Sequence, residues 1–197
     1  MRATTRRVFV AGPAGRIECA VDSPEGSPRG YAVIAHPHPQ FGGTLDNKVV
    51  QTLARAFVEL GYEAWRPNFR GVGQSEGRYD EGRGEVEDLA AVVAQIADQR
   101  IVLAGFSFGA AMQAQLAARV KPERLVLVGT AVINFDVPSV PRGSLVIHGE
   151  QDTTVPLAAV LDWARPQDLP LVVVPGAEHF FHRRLHLLRD IVESYCR

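Results

Sequence analysis

The segments "RIVLAGFS", "RLVLVGTAV", "SLVIHGEQD" and "LPLVVVPGAEH" are short apolar runs, each closing on glycine or polar residues. Runs apolar at every position suit strands buried on both faces, because a strand facing water on one side would alternate. Most are followed by a helical stripe: "FGAAMQAQLAARV", then "PLAAVLDWA", then Leu185, Leu188, Ile191 and Val192. The first half repeats the pattern. "YAVIAH" precedes Val49, Val50, Leu53, Ala54, Phe57 and Val58, with Asp46 or Asn47 as cap and Gly61 as stop. "YEAWRPNF" precedes Val86, Leu89, Ala90, Val93, Ile96 and Ala97. Val8–Ala11 and Ile17–Val21 flank the turn-like "GPAGR" and read as a hairpin.

Strand and helix in alternation predict an α/β class with helices on both faces of a mostly parallel sheet of about eight strands, led by an antiparallel strand. A TIM barrel needs about 250 residues and a helix after every strand, whereas this chain has 197 residues and its first two strands share only a turn. The length, 46% hydrophobic and 22% charged content and absence of any linker lead us to expect one domain over residues 1–197. A net charge of -1 gives no reason to expect nucleic acid. Cys19 and Cys196 lack metal-like or disulfide-framework spacing. The basic opening carries too short an apolar run for a signal peptide, and no stretch is long enough to span a membrane, so a cytoplasmic protein with no membrane partner is expected.

Two stretches fit Gly-x-Ser-x-Gly: "GQSEG" at 73–77 and "GFSFG" at 105–109. A nucleophilic serine on this motif needs a strand before it and a helix after it, with glycines relieving crowding. Ser107 has both. Ser75 follows Gly71 and Gly73 and precedes "RYDEGRGE", which has no apolar stripe, so it belongs to a loop. A serine hydroxyl also needs a histidine base and an orienting carboxylate. Asp152 follows the seventh strand and His179 the eighth, along the edge where parallel sheets build sites. Asp162 lies in a helical pattern and Asp168 before a strand; His182 and His186 fall in or near the last helix.

The order Ser107, Asp152, His179, with "HPHPQFGGTLDNKVV", "NFRGVGQSEG", "GFSFGA", "GEQDTTVP" and "GAEHFF", resembles the α/β-hydrolase superfamily along nearly the whole chain. Within it the motifs look like those of small bacterial lidless hydrolases, the dienelactone-hydrolase-like or carboxylesterase-like group. The resemblance implies a cofactor-free and metal-free serine hydrolase for small-molecule esters or thioesters. An acyltransferase or perhydrolase on the same residues, or a non-catalytic binding protein of the same fold, are the alternatives.

For the developing oxyanion, the backbone N–H of Phe108 is the first expected donor. The second should come from "HPHPQFGG", where Pro37 and Pro39 have no N–H. By position His38 is chosen, with Gln40 and Phe41 as competitors. His36 and His38 could instead hold a metal, but no following Asp-His pair completes such a site. Gly71, Gly73 and Gly77 echo a dinucleotide loop without opening a helix. With Arg70 and Glu76 they should form a structural loop beside the site. "GTAVINFDVPSVPRGS" leaves no room for a cap, so an open site is expected. Phe41, Phe108 and Phe180 are the expected substrate contacts, with Ile133, Phe135 and Phe181 as further candidates.

Overall fold

The computed structural model describes residues 4–96 and 100–197, so Ala97 of the predicted stripe lies outside the described residues. One eight-stranded sheet organises the chain, in the order β1-β2-β4-β3-β5-β6-β7-β8. Its strands are β1 (Thr4–Gly12), β2 (Gly15–Ser23), β3 (Tyr31–Ala35), β4 (Glu63–Pro67), β5 (Ile101–Phe106), β6 (Arg124–Val128), β7 (Leu145–Gly149) and β8 (Leu171–Val174). The helices are α1 (Lys48–Glu59), α2 (Arg83–Gln95), α3 (Phe108–Val120), α4 (Leu157–Ala164) and α5 (Leu185–Tyr195).

The leading hairpin is longer than its apolar runs suggest, pairing Thr4 with Ser23 and continuing to Gly12 with Gly15. Its polar outer positions are tolerated because β1 is an edge strand. β2 pairs antiparallel with both β1 and β4, and every other pairing is parallel.

Successive side chains of a strand face opposite sides. Val33 and Ala35 of β3 therefore join a core layer with α2, α3 and α4, while Ala32 and Ile34 join the layer of α1 and α5. Burial on both faces explains why the strands read as unbroken apolar runs. Asn47 caps α1, its side chain accepting from the N–H groups of Val49 (2.9 Å) and Val50 (3.4 Å), and Gly61 (φ 87°) turns the chain out after Leu60.

The chain leaves β3 for β4 on one side and returns to β5 on the other. This reversal opens a crevice at the carboxyl ends of β3 and β5, where open α/β sheets place their sites. Residues 129–144 join β6 to β7 without a helix or strand, so no cap covers the crevice. No helix among the described residues is long and apolar enough to cross a membrane.

Candidate active site

Ser107 sits between β5 and α3 with φ 55° and ψ -114°, a conformation that L-residues avoid unless their surroundings impose it. Here they do. Its N–H donates to the Val128 carbonyl (2.8 Å), and its own carbonyl accepts from Ala111 (3.2 Å) and Ala131 (3.3 Å). A Cβ on Gly105 would stand 2.4 Å from the Gly109 oxygen, and one on Gly109 would stand 2.3 Å from the Ala35 oxygen. Both are backbone collisions, so the turn needs glycine on each side. Ser75, in the loop after β4, donates its Oγ–H to the Asn68 carbonyl (2.8 Å) and accepts from the Glu18 N–H (2.9 Å). It pins that loop to β2.

Ser107 Oγ lies 3.1 Å from His179 Nε2, and His179 Nδ1 lies 2.7 Å from Asp152 Oδ2. The three residues are 8%, 4% and 5% exposed, in that order, so the run is screened from bulk water but open at the serine end. Asp152 Oδ1 accepts from the N–H groups of Thr154 (2.9 Å) and Val155 (2.8 Å), which fixes the carboxylate in an Asx turn rather than at a helix cap. Burial pushes the Asp152 pKa up, but the hydrogen bonds from His179 and Val155 outweigh it and hold the carboxyl below its usual range.

The competing residues lie elsewhere. Asp162 is an exposed α4 residue paired with Arg165, and Asp168 takes a left-handed turn (φ 50°) before β8. His182 pairs with Glu178 at 3.0 Å in solvent, and His186 is exposed on α5.

A second histidine, absent from the sequence-based expectations, stands behind Asp152. His148 Nε2 donates to the Val155 carbonyl (2.8 Å) and stands 3.5 Å from Asp152 Oδ2. It is fully buried, and burial pushes its pKa down. The available signal was one polar residue inside the apolar run "LVIHG".

In the loop after β3, His36 uses both ring nitrogens: Nδ1–H donates to the Pro37 carbonyl (2.6 Å) and Nε2 accepts from the Phe69 N–H (3.0 Å). That ties the two loops flanking the crevice together and requires a neutral ring. Full burial pulls its pKa from 6.5 down to about 4. Protonation is thus resisted in the folded state but not in the unfolded chain. The stability it contributes is fully present above pH 6.5 and is lost as pH falls toward 4. Between pH 7 and 4.5 this histidine is expected to remove about 2–3 kcal/mol. Denaturant titrations at the two pH values, on the wild type and on His36→Gln, check it; equal losses in both would contradict it.

Most N–H groups of this loop are occupied. Gln40 donates to His38 Nδ1 (3.2 Å), Phe41 and Gly43 to the His38 carbonyl (3.1 and 3.0 Å), and Gly42 to the Pro39 carbonyl (3.3 Å). Among the described residues nothing accepts from the His38 N–H. Phe108 is the first residue of α3, so its N–H has no acceptor within the helix. These two N–H groups belong to adjoining segments. The site of a Gly109 Cβ lies 2.5 Å from the His36 oxygen, and the rings of His38 and Phe108 are 5.0 Å apart.

After β4, Arg70 is clamped by Asp88 (2.8 and 2.7 Å) and the Gly84 carbonyl (2.7 Å), while Glu76 accepts from the Arg16 N–H (2.8 Å). An open cleft of about 610 Å³ reaches Ser107, lined by His38, Phe41, Tyr79, Phe108 and Phe135 with polar residues at its rim. Phe41 lies in its wall, whereas the Phe108 ring backs the wall fully buried and presents no surface of its own. Phe180 does not line it: its ring packs against His179 (5.1 Å) and Phe106 (5.8 Å). Phe181 is fully buried in the core, and Ile133 is exposed outside the cleft lining. Tyr79, Asn134 and Asp136, which no motif marks, also line the cleft.

A profile of the family described as "Serine aminopeptidase, S33" matches residues 27–169. Among solved structures, an α/β serine hydrolase homologue from Coxiella burnetii is 40% identical with a TM-score of 0.92, covering 100% of both chains. XC6422 from Xanthomonas campestris, an α/β serine hydrolase without lid, is 38% identical with a TM-score of 0.92, covering 100% of this chain and 95% of its own. An uncharacterized protein of Rickettsia prowazekii (strain Madrid E), RP471, is 30% identical over 96% of this chain and 87% of its own length. The chain belongs to the serine aminopeptidase S33 family of the α/β-hydrolase superfamily.

Proposed function

We propose that the chain cleaves carboxylic esters or thioesters through an acyl-enzyme on Ser107. The observation that carries this reading is the continuous hydrogen-bonded run from Ser107 Oγ through His179 to Asp152, at 3.1 and 2.7 Å. His179 Nε2 takes the hydroxyl proton as Oγ attacks the carbonyl carbon, and Asp152 stabilises the imidazolium and holds its tautomer. The carbonyl oxygen gains negative charge and is met by the N–H groups of Phe108 and His38, aided by the positive end of α3. The C–O or C–S bond then breaks, and His179 returns the proton to the departing oxygen or sulfur. Water repeats the sequence and frees Ser107.

His38 has φ -52°, close to the value proline enforces, so His38→Pro deletes the N–H without demanding a new backbone. Its kcat on a simple ester is expected to fall by roughly 10²–10³. His38→Ala loses the same imidazole but keeps the N–H, and should lose less. Equal losses in the two variants would remove His38 from the oxyanion site.

Turnover of methyl esters, thioesters and aminoacyl amides, with product analysis in the presence of alcohols and peroxide, tests the reaction class. Hydrolysis of esters or thioesters supports the reading. Cleavage of amides alone would turn it into a peptidase, and predominant acyl transfer into an acyltransferase or perhydrolase. Failure to turn over anything would favour a binding protein of this fold.

A further inference from the structure

The aromatic wall of the cleft and its position relative to His179 bear on which half of an ester sits where. The His38 ring is the hub of the wall, with centroids 4.8 Å from Phe41, 5.0 Å from Tyr79, 5.0 Å from Phe108 and 5.9 Å from Phe135. None of these pairs is stacked face to face: Phe108 meets Phe135 at 73°, and the four pairs with His38 are tilted at 38–55°. The rings of His38, Phe41, Tyr79 and Phe135 keep exposed surface that another ring can meet, with Phe108 fully buried behind them. Phe41 is 86% exposed, on a turn stiffened by Pro37 and Pro39.

The leaving oxygen or sulfur must face His179 Nε2, which returns its proton. His179 is not part of the cleft lining, whereas Ser107 and Phe108 are. The acyl half, directed away from the leaving group, is the half that enters the cleft. Phe108 and His38 supply the N–H groups proposed for the carbonyl oxygen; the Phe108 ring is fully buried behind the wall, whereas the half-buried His38 ring faces the cleft, so the aromatic contacts begin within a few bonds of the carbonyl at His38.

Charge narrows the choice further. Among the described residues lining the cleft, the only cationic side chain is Arg83, and it is shared by Asp80 (3.3 Å) and Glu81 (3.3 Å). Asp136 adds a further carboxylate to the rim. An acyl group carrying its own carboxylate would meet net negative charge here.

We infer that the cleft selects uncharged aromatic acyl groups, an inference that rests on the esterase or thioesterase reading and names its substrate class. A ring entering the wall gains edge-to-face and offset contacts that an alkyl chain of similar area does not.

The test compares methyl 3-phenylpropanoate with methyl nonanoate, which have equal acyl carbon counts and the same small leaving group, by titrating released acid. Fluorophosphonate labelling runs in parallel. The aromatic ester is expected to show roughly tenfold higher kcat/KM, and Phe41→Leu and Phe135→Leu should each cut that ratio by about threefold while keeping an apolar side chain. Phe41 is exposed, so its variant does not threaten folding. Monomethyl succinate should be turned over roughly tenfold more slowly than methyl butanoate. Labelling and ester turnover without aromatic preference, or a preference that neither variant reduces, would overturn the inference alone. No labelling and no turnover of any ester would overturn the hydrolase reading and the inference together.

Discussion

Ser107→Ala is expected to lower kcat on any ester substrate by a factor of about 10⁴–10⁶. The other Gly-x-Ser-x-Gly serine cannot replace the missing nucleophile, because Ser75 spends its hydroxyl between Asn68 and Glu18 in another loop. The loss should fall on kcat, because replacing the hydroxyl with hydrogen leaves the wall of the cleft intact. Combining Ser107→Ala with His179→Ala should cost little more than either alone, since a base without its nucleophile has no proton to move. Additive losses would mean that the two residues act separately. Folding should survive, because the strained turn is held by backbone hydrogen bonds to Val128, Ala111 and Ala131 that alanine keeps.

Asp152→Asn is expected to cost about 10⁴ in kcat. The Thr154 and Val155 N–H groups already claim one oxygen of the side chain, so an asparagine there would turn its NH₂ toward His179. Facing a donor, the His179 Nδ1 would have to accept, which moves the proton to Nε2 and leaves no base for Ser107. KM should change little, as Asp152 does not line the cleft. Asp162→Asn and Asp168→Asn, at positions away from His179, serve as controls and should leave kcat within about twofold. A comparable loss in either control, or none in Asp152→Asn, would reassign the acid.

Much of this arrangement was legible because it rests on local rules. Strands covered on both faces must be apolar at every position, so β5 to β8 stand out in the sequence. The Ser107 turn advertises itself because the backbone approaches within a Cβ's reach at Gly105 and Gly109, leaving glycine as the only residue that fits. Asp152 and His179 could be placed at the right sheet edge because parallel strands deliver their C-terminal loops to one side.

What depends on loop trajectories was harder to read. The rival N–H groups of Gln40 and Phe41 are occupied by a short turn closed on His38, and periodicity carries no trace of that turn. Tyr79 reaches the cleft from the loop after β4, and Asn134 and Asp136 from the β6–β7 connection, where no regular element fixes direction. Phe180 follows His179 directly, yet the loop turns its ring onto Phe106 rather than into the cleft. His148 looked like a strand residue because it is one; its bearing on Asp152 comes from the loop folding back by way of Val155.

The most direct measurement is intact-protein mass spectrometry after incubation with a fluorophosphonate, followed by peptide mapping of the adduct. A single adduct on Ser107 is expected, absent from Ser107→Ala and much slower to form in His179→Ala. Stoichiometric labelling of another residue, or equal labelling of the wild type and Ser107→Ala, would contradict it.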